Sequence, residues 1–125
     1  MYLLDTNTII DFCNARLPAN SKQFLLTITE PCISVITFIE LFSSTVITPL
    51  EKQKLEQFVQ FVTVHDKISA EIVNKVIAIR VNYKTKLPDA IIAATALVHN
   101  LVLITRNTAD FKNIEGLKII DPHSL

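Results

Sequence analysis

The stretch Pro88-Asp89-Ala90-Ile91-Ile92-Ala93-Ala94-Thr95-Ala96-Leu97-Val98-His99-Asn100-Leu101-Val102-Leu103-Ile104 decides the fold. Proline suits the first turn of a helix and no later one, so Pro88 marks a helix start. An apolar run from Ala90 to Val98 follows, and the helix ends near Asn100. Leu101 to Ile104 reads as a short buried strand. The joint at His99-Asn100 is so short that helix and strand must run antiparallel. Asp89, at the helix start, then lies beside the C-terminal end of the strand.

Working outward, the same alternation fills the chain. Tyr2-Leu3-Leu4 is a strand running into Asp5, and Thr6, Asn7 or Thr8 offers a cap for the helix that follows. Phe24, Leu25 and Ile28 form a helical stripe ending before Pro31. Cys32 to Ile36 is a second strand, and Thr37 opens a helix that carries Glu40 on its first turn. Thr48-Pro49-Leu50-Glu51 is a capping box with proline at the first helical position. Its helix turns Leu55, Phe58, Val59 and Val62 inward and leaves Phe61 off that face as a candidate partner surface. Val62 to Val64 is a strand. Ser69 to Asn82 is a helix with Ile72, Val73, Val76, Ile77 and Ile79 inward. Thr105 to Lys112 is a loop with at most a turn of helix, and Lys118 to Ile120 is the last strand. Strands that are apolar throughout, separated by helices, predict a three-layer α/β/α fold around a mainly parallel twisted sheet.

Composition bounds the rest. The chain has 125 residues, 12 basic and 12 acidic side chains, and one glycine, Gly116. The length fits a single domain over residues 1–125. One glycine excludes a phosphate-binding P-loop, a dinucleotide fingerprint and a hydrolase elbow. A formal net charge of zero gives no long-range steering toward a polyanion, so nucleic acid would need a local patch or bound metal. Cys13 and Cys32 make no disulfide framework and suit a cytoplasmic protein. With Asp5 inside the first apolar stretch, no signal peptide is expected. The run from Ala90 to Val98 is too short to span a membrane.

In such sheets ligands sit beyond the carboxyl ends of the strands. Asp5, Glu40, Asp89 and Asp110 are all placed at that edge by the pattern above. Two carboxylates about 4 Å apart repel by ~1 kcal/mol in water and ~4 kcal/mol at an effective dielectric of 20. A hard divalent cation offsets that repulsion. All-oxygen ligation without His or Cys suits Mg²⁺ or Mn²⁺, which can activate water against a phosphodiester. Each acid also has a plainer explanation. Asp5 or Asp89 can serve a helix start, Glu40 can close a capping box with Thr37, and Asp110 can sit in a turn. Asp11, Asp66 and Asp121 read as solvated or capping acids.

Four motifs now stand in order. They are Leu3-Leu4-Asp5-Thr6-Asn7, Phe38-Ile39-Glu40-Leu41, Leu87-Pro88-Asp89-Ala90-Ile91-Ile92-Ala93-Ala94-Thr95-Ala96 and Thr105-Arg106-Asn107-Thr108-Ala109-Asp110-Phe111. Together they resemble the PIN domain over essentially the whole chain, most closely the VapC-type toxins of toxin–antitoxin pairs. The resemblance implies a metal-dependent ribonuclease with Asp5, Glu40, Asp89 and Asp110 around Mg²⁺ or Mn²⁺. It implies supporting roles for Asn7 and Asn107, a VapB-like antitoxin and a homodimer. The chain departs from many relatives at Leu41-Phe42-Ser43-Ser44, where a small residue and another acid are usual. Of the nearby cations, Arg106 and Lys86 are the candidates for RNA phosphates. The antitoxin is expected in an apolar groove between Thr37 and Phe61, with Phe42 and Phe61 as candidate contacts.

Other classes fit less well. A phosphoacceptor receiver domain needs an acid pair near the first strand and a lysine after the fifth. A haloacid-dehalogenase-type phosphatase needs an aspartate where Asn7 stands. A PIN nuclease of RNA processing without an antitoxin, and a non-catalytic interaction module, remain as alternatives.

Overall fold

The computed structural model describes residues 1–125. The chain runs β1 (Tyr2–Leu4), α1 (Thr6–Cys13), α2 (Ala19–Leu26), β2 (Pro31–Ser34), α3 (Val35–Ser43), α4 (Pro49–Val59), β3 (Thr63–His65), α5 (Ala70–Asn82), α6 (Leu87–Val98), β4 (Val102–Ile104), α7 (Thr108–Phe111) and β5 (Ile119–Ile120). All five strands pair in parallel in the order β3-β2-β1-β4-β5. The three-layer α/β/α reading holds. The chain leaves β1 toward β2 on one side and returns to pair β4 on the other. The crevice beyond the ends of β1 and β4 is therefore the topological switch point, where doubly wound sheets bind ligands.

Strand side chains alternate between two cores, as the period of two requires. Leu3, Cys32 and Leu103 pack under α5 and α6, whereas Leu4, Ile33 and Ile104 pack on the other face with Ile9, Leu25, Leu41 and Leu55. Helix α6 is buried from Ala90 through Ala96. Its small residues Ala90, Ala93, Ala94 and Ala96 let the helix lie close on the sheet. It ends in a Schellman turn: Asn100 is left-handed at φ 55°, and the amide of Leu101 donates to the carbonyl of Ala96 at 2.8 Å. That turn sends the chain back into β4 and leaves Asp89 at the opposite end of α6.

Local boundaries differ from the sequence reading in instructive ways. Helix α3 starts at Val35 because the hydroxyl of Ser34 caps it, accepting from the amide of Thr37 at 3.1 Å. The second strand is shorter for the same reason. The apolar excess on α5 is also not all core. Ile72, Val76 and Ile79 are buried, whereas Val73 and Ile77 are exposed together with Val81. A helix packed on one neighbour buries one stripe only, and α6 is the neighbour of α5. The Thr48-Glu51 capping box forms as read.

Candidate metal-dependent nuclease site

Asp5 follows β1 directly and caps α1, its carboxylate accepting from the amide of Thr8 at 3.0 Å. Capping and site placement coexist here, and the cap is Asp5 rather than Thr6, Asn7 or Thr8. The amide of Asp5 donates to the carbonyl of Ile104 at 3.1 Å. The hydroxyl of Thr105 donates to the second carboxylate oxygen of Asp5 at 2.5 Å. The same hydroxyl oxygen accepts from the amide of Asn107 at 3.0 Å. The end of β4 thus fixes both Asp5 and the turn that carries Asn107.

Glu40 sits on the second turn of α3, not the first, because Ser34 starts that helix early. It therefore closes no capping box with Thr37. Its carboxylate instead accepts from the hydroxyl of Thr6 at 2.6 Å, which ties α3 to α1 across the cavity mouth. Asp89 lies in the first turn of α6, where the helix dipole favours an ionised acid. Asp110 lies in α7, a single turn anchored by the buried ring of Phe111.

These four acids line one open cavity of about 320 Å³, together with Thr6, Asn7, Lys86 and Asn107. The sequence reached every one of these residues except Thr6 and the wall formed by Pro88 and Ile92. Thr105, which orients Asp5 from beneath, was also missed, because nothing marks one threonine after a strand as a hydrogen-bond relay.

The electrostatics match a converging set. Burial raises the pKa of Asp89, and the neighbouring charges of Asp110, Glu40 and Asp5 raise it further, against Lys86. Asp5 is 5% exposed. Burial raises its pKa as well, opposed by its hydrogen bonds and by the charge of Arg106. Carboxylates that disfavour one another's ionised form around a polar cavity are suited to a hard divalent cation by donor chemistry. No three of them are drawn together into a closed ligand set.

Arg106, a candidate for RNA phosphates, is not a free cation. Its guanidinium pairs with Asp11 at 3.3 Å, and its side chain does not line the cavity. Asp11 is accordingly not a solvated acid. It is 3% exposed and also meets Nε2 of His123 at 3.1 Å. Asp121 does cap a turn, accepting from the amide of His123 at 2.9 Å.

With this geometry in view, comparison with known proteins is decisive on family. The PIN domain matches residues 2–117. The chain belongs to the PIN domain family. Among solved structures it is similar to a chain of a toxin–antitoxin complex from Klebsiella pneumoniae, at 35% identity over 98% of both chains with a TM-score of 0.78. It is also similar to DNA-bound VapBC from Salmonella typhimurium, at 27% identity over 97% of both chains and TM-score 0.80. A third likeness is VapBC2 from Rickettsia felis bound to a promoter DNA fragment, at 25% identity, 95% and 96% coverage and TM-score 0.79. No curated protein matches the sequence. The VapC-type likeness read from the four motifs is thereby borne out. PIN domains are nucleases, and PIN nucleases generally use divalent metal ions. No helix of this PIN domain is long and apolar enough to cross a membrane.

Proposed function

We propose that this PIN domain is a Mg²⁺- or Mn²⁺-dependent endoribonuclease, the toxin of a type II toxin–antitoxin pair. The observation that carries the reading is the convergence of Asp5, Glu40, Asp89 and Asp110 on one cavity at the β1/β4 switch point. Bound among these acids, the cation would supply charge neutralisation and an activated water for a phosphodiester. The protein's own groups do the arranging. Thr105 and the amide of Thr8 hold both oxygens of Asp5. Thr6 holds Glu40. Asn7 and Asn107 line the same cavity. Lys86, at the cavity rim, offers a cation to an RNA phosphate.

A second cavity supports the antitoxin. It is lined by Ile10, Cys13, Leu41, Ile47 and Leu55 and shares Glu40 with the acidic one. An apolar segment laid there would bring a following basic side chain to the acids. Phe42 and Phe61 do not line this groove. Phe61 is 79% exposed beyond the end of α4, and Phe42 packs on Phe38 at 5.1 Å. The groove beside Glu40 favours the toxin over a processing nuclease without an antitoxin. On the opposite face of the sheet, the exposed row Val73, Ile77 and Val81 offers a surface for pairing two copies. A site of action in the cytoplasm fits two free cysteines.

The test is RNA cleavage by purified protein. Cleavage with Mg²⁺ or Mn²⁺ that stops with EDTA and leaves 5′-phosphate and 3′-hydroxyl ends supports the reading. Full activity in excess EDTA, or 2′,3′-cyclic phosphate ends, overturns it.

A further inference from the structure

The cap of α1 and two of its residues meet three consecutive residues at the end of β4. Asp5 takes the hydroxyl of Thr105. The hydroxyl of Thr8 donates to the carbonyl of Ile104 at 3.0 Å. Asp11 takes the guanidinium of Arg106 at 3.3 Å. A spacing of three places all three α1 side chains on one helix face. The seam ends in the C-terminal segment: His123 reaches Asp11 at 3.1 Å, Ser21 donates to the carbonyl of Pro122, and Pro122 is buried. The nuclease site uses Asp5 of this seam and leaves Asp11 without a task.

We infer that Asp11 is a positioning residue that presents Arg106 to an RNA phosphate at the edge of the acidic cavity. This rests on the nuclease reading for the identity of the polyanion. The carboxylate of Asp11 is buried, and burying a charge is costly unless it is paired. Arg106 is the opposite, with its side chain 48% exposed while one nitrogen is held. A guanidinium carries donors in a rigid fork, so one edge can bind Asp11 while another faces outward. Anchoring the side chain beforehand removes rotamer entropy that a free surface arginine would lose on binding. Arg106 directly follows Thr105, whose hydroxyl holds Asp5 at the cavity, and its charge acts on Asp5. Lys86 lines the cavity itself, so an RNA chain held by Arg106 would find a second cation beside the acids.

Charge and position make opposite forecasts for Asp11→Asn. That substitution removes a negative charge and frees Arg106, so Coulomb attraction alone makes RNA binding tighter. Positioning makes it weaker. The experiment measures binding of a fluorescent single-stranded RNA oligonucleotide by anisotropy, in EDTA at low salt. It compares wild type, Asp11→Asn, Arg106→Met, the double variant and His123→Ala, at a temperature where melting shows each to be folded. Asp11→Asn and Arg106→Met should each weaken binding about five- to tenfold, the scale of one phosphate contact. The double variant should be no weaker than Arg106→Met, because Asp11 acts through Arg106. His123→Ala, which leaves the Arg106 pair intact, should change binding less than twofold. Unchanged or tighter binding by Asp11→Asn overturns the proposal, as does a double variant whose loss is the product of the single losses. Wild-type protein that binds no RNA also overturns it. Should wild type bind but cleave nothing with Mg²⁺ or Mn²⁺, the nuclease reading fails while the binding cycle still decides the role of Asp11.

Discussion

Helix α1 has a buried aspartate at each end, and the two are treated differently. Asp11 meets an arginine and a histidine. Asp5 receives only neutral donors, a backbone amide and a hydroxyl, and no cation lies within ion-pair distance of it. Burial raises its pKa, so the fold holds this carboxylate at a cost. Around it stand three more acids and one rim lysine. The difference separates a carboxylate the protein neutralises for itself from one it does not, which is the acid the proposed function assigns to the metal. Repulsion left standing in a folded structure is a better pointer to a ligand than the presence of acids as such.

The sharpest way to break this comparison is to remove charge without changing shape. Asp5→Asn and Asp89→Asn should each lower RNA cleavage by at least ~10²-fold, the scale of losing a principal electrostatic group. Metal-free thermal midpoints should stay level or rise. Near-wild-type cleavage rates for either variant would remove that acid from the site.

A smaller effect is expected at the other end of the helix, in stability. Asp11→Asn should lower stability by about 1–3 kcal/mol, below the ~3–5 kcal/mol for breaking a fully buried pair because Arg106 is half exposed. Chemical denaturation of Asp5→Asn and Asp11→Asn side by side checks the contrast. Equal losses would mean that both acids are structural.

The third effect is in pH. Asp5 and Asp89 have folded pKa values raised above their ordinary 3.8. A raised carboxylate favours folding fully below the unfolded value, and that contribution is lost as pH rises through the folded one. Metal-free protein should therefore gain thermal stability as pH falls from neutrality toward mild acid. Asp89→Asn should flatten this rise. A melting temperature that drops steadily over the same range would contradict the assignment. Excess Mg²⁺ should reduce the pH dependence by compensating the ionised acids.

Glu40→Gln is expected to matter least among the cavity acids. Glu40 is exposed and its neutral isostere keeps an acceptor for the hydroxyl of Thr6. Cleavage should fall about tenfold, with an unchanged melting temperature. A loss equal to that of Asp5→Asn would place Glu40 at the centre of the site.

Much of this was legible in the chain because it is local. Alternation of apolar runs gave the strands and helices. Four acids lie just beyond a strand or in the first two turns of a helix, so the edge they occupy follows from the direction of a parallel sheet. The single proline at the start of α6 and the short turn at its end placed Asp89 without any long-range knowledge. The helix caps were less legible, since Asp5, Thr6, Asn7 and Thr8 all offer suitable oxygens and only backbone geometry selects one. Ser34 was hidden inside a β-rich run for the same reason.

Side-chain partners across the fold were another matter. Periodicity says which face of an element is apolar, but not what packs on it. Nothing near Asp11 in sequence announces Arg106 or His123, which lie 95 and 112 positions away. Their meeting depends on the angle at which α1 crosses β4 and on where the C-terminal segment returns. The sequence by itself determined the α/β alternation and the edge on which the acids gather, because both follow from short-range steric and hydrophobic patterns. Only the tertiary structure decided the strand order, the exposed half of α5, and which of Asp5 and Asp11 is paired with a cation and which is not. Those are set by packing between elements distant in the chain, where a few ångströms separate a salt bridge from an open cavity.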